Sequence, residues 1–551
     1  MQTNAAQEEE QRRTQASTTN KVPSNEGPRW VSIRRRWPVV RHTEWIIFVI
    51  ALSVSLSGLL GGVAWSPDST NYIVGAQHLL VEGDLYVYAN WPSHKLVPEP
   101  EPYADYPPGF ALYLCPFLWL FADPMLASTL AQAVSVMLCY GALAFLLGVL
   151  RLPLVYRATA YAVFTILGTF PHIYGHFWTE PLFTALSFVG GAFTVLAWRP
   201  EAKVRHWALA ALCFLLASSI KHVGVFNFAW FVLPLMRMKR RRLLYGALSA
   251  LVCFAPSVAW LLRNQLRYGR ISFSHRIGET SFKDDLLAPI FFLGREFFAV
   301  AHAVWPGYAL AGIVGTLVFV LPFSHAHKGA RWLRPARDPD DLWVHGGLVF
   351  VTLAHFLGIW ALSLVTHFNL LDDRLLAPSI ACGTITAMHA LHLLGRRIIW
   401  PYGRMLAATL PFLFLLVSRH IAPPKLPPAY WHLRQPPEEA LWASLREDDI
   451  ASGSSHFYSD YLFIHQVYAG MPQRILWDVD TYSTPEALQK LTGLGTRPFF
   501  VFREGSREHE VFRAAWTKDA VGLEEYGYPN AKTLVYALPA PLPTHSDPTP
   551  Y

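Results

Sequence analysis

The chain of 551 residues is too apolar for a soluble protein, because 52% of its residues are hydrophobic and 15% are charged, whereas soluble domains carry about 25% charged residues. Its net charge of +7 does not indicate nucleic-acid binding, since the basic residues stand in short clusters between apolar segments, as membrane topology requires. The five cysteines lie in or beside apolar segments without CxxC spacing, so neither a disulfide framework nor a zinc site is indicated. The composition predicts a polytopic membrane protein.

Three regions of the chain differ in composition. Residues 1–44 are polar and end in a basic segment, which predicts a disordered cytoplasmic tail with a juxtamembrane anchor. Residues 45–419 are mostly apolar and predict a helical transmembrane domain. Residues 420–551 are hydrophilic and begin with a proline-rich linker. A signal peptide would also begin with basic and then apolar residues, but the first apolar run has the length of a full membrane span.

Eleven apolar runs predict about eleven transmembrane helices. They are Trp45–Ala64, Leu126–Leu150, Val155–Phe170, Glu180–Trp198, His206–Ile220, Val223–Met236, Leu243–Leu262, Ala301–Phe323, Leu342–Val365, Leu375–Leu394 and Met405–Ser418. The run Val223–Met236 is short for a hydrocarbon layer of about 30 Å, so it needs help from flanking residues or from its predecessor.

The distribution of basic residues predicts the orientation of these spans. With a cytoplasmic N-terminus, the inner loops hold 21 Lys and Arg residues and the outer loops hold 9, as the positive-inside rule requires. An odd number of spans then places residues 420–551 on the outer face. The short loops favour the inner membrane of a bacterium, with this C-terminal region in the periplasm.

The stretch Trp65–Leu120 follows the first span and carries Asp68 a few residues beyond the predicted membrane edge. Charge near lipid is costly, so a carboxylate there indicates a partner, a water-filled cavity or a catalytic task. Apolar residues recur at three- and four-residue steps from Ser69 to Leu80, which predicts a short amphipathic helix on the membrane surface. Asp68 is the first candidate for catalysis; the simpler alternative is that it caps this helix.

Basic residues also gather in one outer loop, on the side that topology disfavours. The loop contains Arg263, Arg267, Arg270 and Arg276, and Lys283 and Arg295 follow. Arginine forks match phosphate oxygens in bidentate geometry, so the loop predicts a site for a phosphate diester or a pyrophosphate. Ordinary binding of lipid headgroups is the alternative. Lys221 and Arg374, at other outer turns, complete the predicted phosphate ligands.

Three further outer positions carry polar groups that suit a substrate site. Glu180 precedes a proline at the start of a span, where capping of the helix dipole is an alternative explanation. His222 follows Lys221 between two spans. His367 lies in the turn before Asp373 and Arg374, where an interfacial histidine and an exposed salt bridge are the simpler explanations.

These residues resemble the first outer loop of the GT-C glycosyltransferases, and especially the mannosyltransferases that use polyprenyl-phosphate-mannose. The resemblance covers about residues 45–395. It is carried by Asp68, Ser69 and Tyr72, by Gly83 to Tyr86, by Tyr106-Pro107-Pro108-Gly109, by Thr179 to Phe183, and by Asp373-Arg374 with Pro378. The protein O-mannosyltransferase and aminoarabinose-transferase branches tend to have a second acid where Ser69 stands, so neither a metal site nor a two-carboxylate scheme is indicated.

The resemblance implies transfer of a sugar, mannose or another hexose or pentose, from a polyprenyl-phosphate donor to an acceptor hydroxyl on a lipid, glycan or protein. It implies inversion at the anomeric carbon. The physical requirements agree, since an activated donor needs a base for the acceptor hydroxyl and cations for the leaving phosphate. Asp68 would be the base, the outer cations would hold the phosphate, and Tyr72, Tyr106, Glu180, His222 and His367 would bind the substrates. No cofactor is implied, and a divalent cation is not indicated.

The C-terminal region predicts a small α/β domain that covers the outer face or helps to admit the acceptor. Strands are expected at Asp449–Ser452, Gln473–Trp477, Arg497–Arg503 and Lys532–Leu538, with helices at Tyr458–Ala469, Thr484–Leu494 and Ser506–Thr517.

Two other functions remain open at this point. A polysaccharide ligase or polymerase acting on a lipid-diphosphate carrier would share the basic outer loop, but it would not need the Asp68 stretch. A transporter would be expected to show inverted repeats and broken helices at the middle of the membrane, and the sequence shows no clear internal repeat.

Overall fold

The structure is a computed structural model. It describes residues 37–60, 62–88, 100–104, 106–199, 202–237, 240–269, 339–366, 373–397, 455–459, 473–475, 497–503, 524–527 and 533–537, with single residues at 409, 510 and 513. The chain divides into two units, Met1–Val49 and Ile50–Tyr551. In the first unit, the rings of Trp45 and Phe48 meet edge to face with their centroids 5.5 Å apart. The site discussed below lies within the second unit.

The described part of the chain is mostly helical. Its α-helices are α1 (Trp37–Ser57), α2 (Pro67–Glu82), α3 (Gly109–Leu120), α4 (Pro124–Val149), α5 (Leu154–Ile166), α6 (Thr169–Gly175), α7 (Glu180–Trp198), α8 (Val204–Ile220), α9 (Ala229–Arg237), α10 (Arg240–Tyr268), α11 (Pro339–Thr366) and α12 (Asp373–Arg397). The short strands β1 (Tyr86–Tyr88) and β2 (Pro100–Pro102) pair antiparallel between α2 and α3.

Most predicted spans and the predicted surface helix coincide with helices. Helices α4, α7, α8, α10, α11 and α12 each cover a predicted span, and α2 covers the segment expected from Ser69 to Leu80. The spans expected at Ala301–Phe323 and Met405–Ser418 lie outside the described residues, apart from residue 409. Within the part searched, four helices are long and apolar enough to cross a membrane: α4, α7, and the segments Leu243–Tyr268 and Asp340–Leu364.

Two predicted spans are interrupted. The first helix ends at Ser57 rather than Ala64, and the chain then turns through Gly62, whose φ of +88° favours glycine. The run Val155–Phe170 divides into α5 and α6 because Leu167 adopts an extended conformation at the end of α5. These breaks let the chain re-enter the helical layer beside α2.

The short run Val223–Met236 forms two pieces, a 3₁₀ helix (His222–Phe228) followed by α9. A Cβ atom at Gly224 would lie 2.6 Å from the Cα atom of Ser218, so only glycine allows this turn to pack against the end of α8. Asn227 in the 3₁₀ helix donates to the Ser187 hydroxyl of α7 at 3.0 Å, and its side-chain oxygen lies 3.2 Å from His355 Nε2 of α11. This buried network holds three elements together and fixes Lys221, at the end of α8, beside α7.

The C-terminal region contains a five-stranded sheet. Its strands β3 (Ser455–Ser459), β4 (Gln473–Ile475), β5 (Arg497–Arg503), β6 (Glu524–Gly527) and β7 (Thr533–Ala537) lie in the order β4-β3-β5-β7-β6. Strand β3 is parallel to β4 and β5, while β7 is antiparallel to β5 and β6. Three strands lie where they were expected, at β4, β5 and β7.

The remaining C-terminal predictions are either wrong or lie outside the described residues. Tyr458, expected to begin a helix, belongs to β3, because the ladder with β5 runs from Ser455 to Ser459 and pairs Tyr458 with Phe500. The strand expected at Asp449–Ser452 lies outside the described residues, as do most residues of the three expected helices. The α/β character of the domain therefore stays a prediction.

Candidate functional site

Two chain segments meet just before α2 and α7. The amide of Ala64 donates to the carbonyl of Gly175 at 2.8 Å, and the amide of Phe177 donates to the carbonyl of Ala64 at 2.9 Å, which forms a short parallel bridge. The bridge sets the first turns of α2 and α7 next to each other. Asp68 and Glu180, which lie in those first turns, are thereby brought to one place.

Ser66, and not Asp68, caps α2. The hydroxyl of Ser66 accepts from the amide of Ser69 at 3.3 Å, and the hydroxyl of Ser69 accepts from the amide of Ser66 at 2.9 Å, in a complete capping box. The Ser69 hydroxyl also donates to the carbonyl of Phe177 at 2.8 Å, and the indole of Trp178 donates to Ser66 Oγ at 2.7 Å. The capping alternative for Asp68 is wrong, since the serine already performs that task and the carboxylate has other partners.

The carboxylate of Asp68 is held at both oxygens. The hydroxyl of Tyr106 donates to Oδ1 at 2.5 Å, and the guanidinium of Arg374 donates to Oδ2. The side chain of Asp68 is 16% exposed and that of Arg374 is 25% exposed. The pair is thus partly buried, in a position that small polar groups of a substrate can reach.

Glu180 is the second carboxylate of the site and is almost fully buried, with 1% of its surface exposed. The ammonium of Lys221 lies 2.5 Å from Oε1 and Arg374 Nε lies 3.9 Å from the same atom. The hydroxyl of Thr179 donates to Oε2 at 3.3 Å, while the helix cap itself makes no side-chain hydrogen bond. Glu180 lies in the first turn of α7, where the helix dipole favours an acid, and it also neutralises two cations.

The four charged groups form one cluster, in which Arg374 links the two carboxylates. Asp68 and Glu180 contribute two negative charges, and Arg374 and Lys221 contribute two positive charges. Removing Lys221 would deprive the buried Glu180 carboxylate of its closest counterion, and breaking a buried ion pair in this way costs several kcal/mol in proteins. The sequence analysis found no second acid beside Asp68, and the structure supplies one from a different helix.

Aromatic side chains form a wall beside Arg374. The guanidinium carbon lies 5.3 Å from the centre of the Trp178 ring, within the range of a cation–π contact. The imidazole of His176 stacks on the other side of this indole, with the centroids 4.3 Å apart and the planes at 18°. His172 meets Trp178 edge to face at 5.1 Å. These rings thus form the aromatic side of the Arg374 environment.

Three tyrosines, Tyr72, Tyr103 and Tyr106, lie close to Asp68. Tyr72 and Tyr106 meet edge to face at 5.0 Å, and Tyr103 lies 5.9 Å from Tyr106. Burial raises the pKa of Tyr72 and of Tyr103 well above the ordinary value, and the negative charge of Asp68 adds to both shifts. These phenols are therefore hydrogen-bond donors rather than bases. Among the described residues, the Tyr103 hydroxyl has no hydrogen-bond partner.

Arg263 and Arg267 hold the first loop rather than Asp68. Arg267 lies 2.9 Å from Asp84 Oδ2, and Arg263 lies 3.9 Å from Oδ1 and 4.3 Å from the centre of the Trp260 ring. The amide of Leu85 and the Arg267 guanidinium lower the pKa of the Asp84 carboxyl. Arg270, Arg276 and His367 lie outside the described residues. His222 begins the 3₁₀ helix next to Lys221.

The cluster does not fit a divalent cation. Among the described residues, no group of three His, Cys, Asp or Glu side chains is arranged to hold a metal ion. The positions facing the two carboxylates are taken by the Arg374 guanidinium and the Lys221 ammonium, which a metal would have to displace. Within the described residues, these two cations are the positive charges that face the carboxylates.

Neither the aromatic wall nor the capping of α2 by Ser66 was predicted from the sequence. Sequence analysis selected Arg374 and Tyr106 for phosphate and substrate, and the structure places both against Asp68. The tryptophan in the segment His176 to Glu180 was visible, but nothing in the sequence indicates that it packs against a residue of α12.

No protein-family model and no curated protein matches the sequence. Among solved structures, arabinofuranosyltransferase AftD from Mycobacteria is similar, with a TM-score of 0.51 and 16% identity over 90% of this chain and 41% of AftD. ArnT from Cupriavidus metallidurans bound to undecaprenyl phosphate has a TM-score of 0.44 and 16% identity over 92% of this chain and all of ArnT. The Archaeoglobus fulgidus oligosaccharyltransferase has a TM-score of 0.49 and 12% identity over 89% and 74%.

The similarity to AftD settles the architecture. The chain spans less than half the length of AftD, and the aligned part includes nine-tenths of this chain. AftD is a GT-C glycosyltransferase. The chain has the GT-C fold that the resemblance implied.

Proposed function

We propose that the protein is a membrane glycosyltransferase that moves a sugar from a polyprenyl-phosphate donor to an acceptor hydroxyl, with inversion at the anomeric carbon. The observation that carries this proposal is the contact of Arg374 with both Asp68 and Glu180, beside Lys221. This contact supports the proposal, because a carboxylate that could act as a base lies beside two cations that could bind a phosphate.

The reaction needs few groups, because the donor is already activated. The acceptor oxygen attacks the anomeric carbon and its proton passes to Asp68, while the bond from that carbon to the phosphate oxygen breaks. The bonding electrons go to the phosphate, which leaves as a polyprenyl phosphate with one additional negative charge. Asp68 then gives its proton to water.

Arg374 and Lys221 are suited to stabilise the leaving phosphate. A guanidinium binds two phosphate oxygens with parallel hydrogen bonds, and an ammonium adds a compact positive charge. Their side chains are 25% and 17% exposed, so both can meet a ligand while they remain anchored. The charge that develops on the phosphate would meet cations already in place, which is the most effective form of electrostatic catalysis.

Glu180 serves as a positioning residue. Its carboxylate is nearly inaccessible and contacts both cations, so it holds them in position without touching the substrate. The phenols of Tyr72 and Tyr103 are donors near Asp68 and suit the hydroxyls of a sugar. Tyr106 orients Asp68 through the hydrogen bond to Oδ1.

The location of the reaction follows from the predicted topology. Asp68, Glu180, Lys221 and Arg374 all lie at helix ends that the basic-residue pattern assigns to the outer face. Transfer on that face, near a periplasmic C-terminal domain, suits an acceptor exported before it is modified, whether lipid, glycan or protein.

The proposal is tested with purified protein in nanodiscs and a panel of radiolabelled polyprenyl-phosphate sugars that includes mannose. We expect wild-type protein and the matched variant Asp84→Asn to release label from the lipid, and Asp68→Asn to release little or none. The proposal fails if no monophosphate donor is consumed while a lipid-diphosphate glycan is transferred whole, or if proteoliposomes show flux without any chemistry.

A further inference from the structure

The contact between Arg374 and Asp68 hinders two reaction steps at once: acceptance of a proton by Asp68 and binding of phosphate by Arg374. A base has to accept a proton from the acceptor hydroxyl, and protonation of Asp68 while Arg374 remains in contact would leave the guanidinium without that counterion. A phosphate ligand needs the same guanidinium, and bidentate binding uses the donors that now point at Oδ2. One cation cannot fully serve both partners at once.

The surroundings of Arg374 suit a change of partner. The residue is the second of α12, and its side chain is 25% exposed, so the guanidinium can be reached from solvent. The indole of Trp178 offers a flat surface 5.3 Å away, along which the guanidinium can slide while it keeps a cation–π contact. Glu180 lies 3.9 Å from Nε and remains a counterion throughout.

We infer that the donor phosphate takes Arg374 from Asp68, so that Asp68 becomes an available base only after the donor has bound. This inference rests on the proposed function and adds a binding order, donor before acceptor. The exchange keeps the site close to neutral, since the incoming phosphate replaces the carboxylate as the partner of the guanidinium. It also prevents Asp68 from acting on water or an acceptor when no donor is present.

The exchange predicts how the affinity for a lipid phosphate depends on Asp68. Asp68 competes with the phosphate for Arg374, so removing the carboxylate should strengthen binding of a lipid phosphate. If Asp68 simply repelled the phosphate, removing the carboxylate would also strengthen binding. The two causes separate in a variant that lacks Arg374, because repulsion persists there and competition does not.

The probe is undecaprenyl phosphate, titrated into protein in nanodiscs, with undecaprenol as the control for the apolar tail. We expect Asp68→Asn to lower Kd about ten-fold, equivalent to about 1.4 kcal/mol. In the Arg374→Gln background, the same substitution should change Kd less than two-fold. Asp84→Asn, which removes a carboxylate engaged with other arginines, should leave Kd unchanged.

Thermal unfolding of each variant shows whether it is folded, and wild-type donor consumption is measured in parallel. Equal or weaker binding by a folded Asp68→Asn protein overturns the exchange, and so does a ten-fold gain that persists without Arg374. If wild type consumes donor in either case, the exchange is wrong and the proposed function stands. If wild type neither binds undecaprenyl phosphate in preference to undecaprenol nor consumes any donor, both are wrong.

Discussion

Arg374 donates a hydrogen bond to Asp68 across 306 positions of sequence. The contact joins the first turn of α2 to the first turn of α12, two helices that are far apart in the chain. Through Arg374 Nε the same contact reaches Glu180 at the start of α7. One guanidinium thus joins three helix ends.

Asp68→Asn should lower turnover by about 100-fold or more at saturating donor, because the amide cannot take the proton of the acceptor. The fold should survive, since Ser66 caps α2 and the amide retains the shape of the carboxylate. Turnover is measured as transfer of labelled sugar, with thermal unfolding as the control. Near-normal transfer by a folded variant would remove Asp68 from catalysis and make Glu180 the next carboxylate to test.

Lys221→Met should destabilise the protein by about 3 kcal/mol, because Glu180 is buried and would lose its closest counterion. The double variant Lys221→Met with Glu180→Gln should recover part of that loss, since the buried charge is then gone. The free energy of unfolding in nanodiscs or detergent is the measurement. A double variant no more stable than Lys221→Met would show that this pair is not coupled in the way described.

Arg270→Lys and Arg276→Lys should weaken apparent donor affinity if the basic outer loop holds phosphate, because lysine keeps the charge but loses the fork. Arg267→Lys is the matched control, because Arg267 lies in the last turn of α10 and is engaged with Asp84. Its donor KM should stay within about two-fold of wild type, as exposed ion pairs contribute little. Unchanged affinity in both of the first two variants would return them to the binding of lipid headgroups.

A cysteine introduced at Ser506 should react with an impermeant thiol reagent in intact cells, because the distribution of 21 inner and 9 outer basic residues places the C-terminal region outside. The experiment uses a variant whose five native cysteines are replaced. A cysteine at Ser32 should react only after the membrane is permeabilised. The reverse pattern of reactivity would invert the topology and move the proposed site to the cytoplasmic face.

Local features of the fold were predictable, because they depend on short-range patterns. The spacing of apolar residues predicted α2, and hydropathy predicted the first and last residues of α7, Glu180 and Trp198. The interruption at Leu167 and the 3₁₀ start of the short span were harder to predict, since they depend on packing: Gly224 lies against Ser218, and no local rule identifies that contact.

The site was only half predictable for the same reason. A costly charge near the membrane singled out Asp68, and residue type singled out Arg374 and Lys221 as cations. Their pairing could not be predicted, because it is created by the bridge between Ala64 and His176 and by the approach of α12. Residue type likewise did not indicate that Arg263 and Arg267 contact Asp84, and their role as phosphate ligands stays a prediction.

The order of the charged residues along the chain has a consequence for biosynthesis. Asp68, Glu180 and Lys221 leave the ribosome well before Arg374, so a nascent chain that ends before α12 carries two carboxylates of the cluster and one of its cations. Asp68 then has no cationic partner from the cluster, and charge at a membrane boundary without a partner must stay in water. The first turn of α2 should therefore take its place beside α7 only after α12 has been inserted. Chains truncated before residue 373 should expose α2 to protease, although they contain α3 and α7.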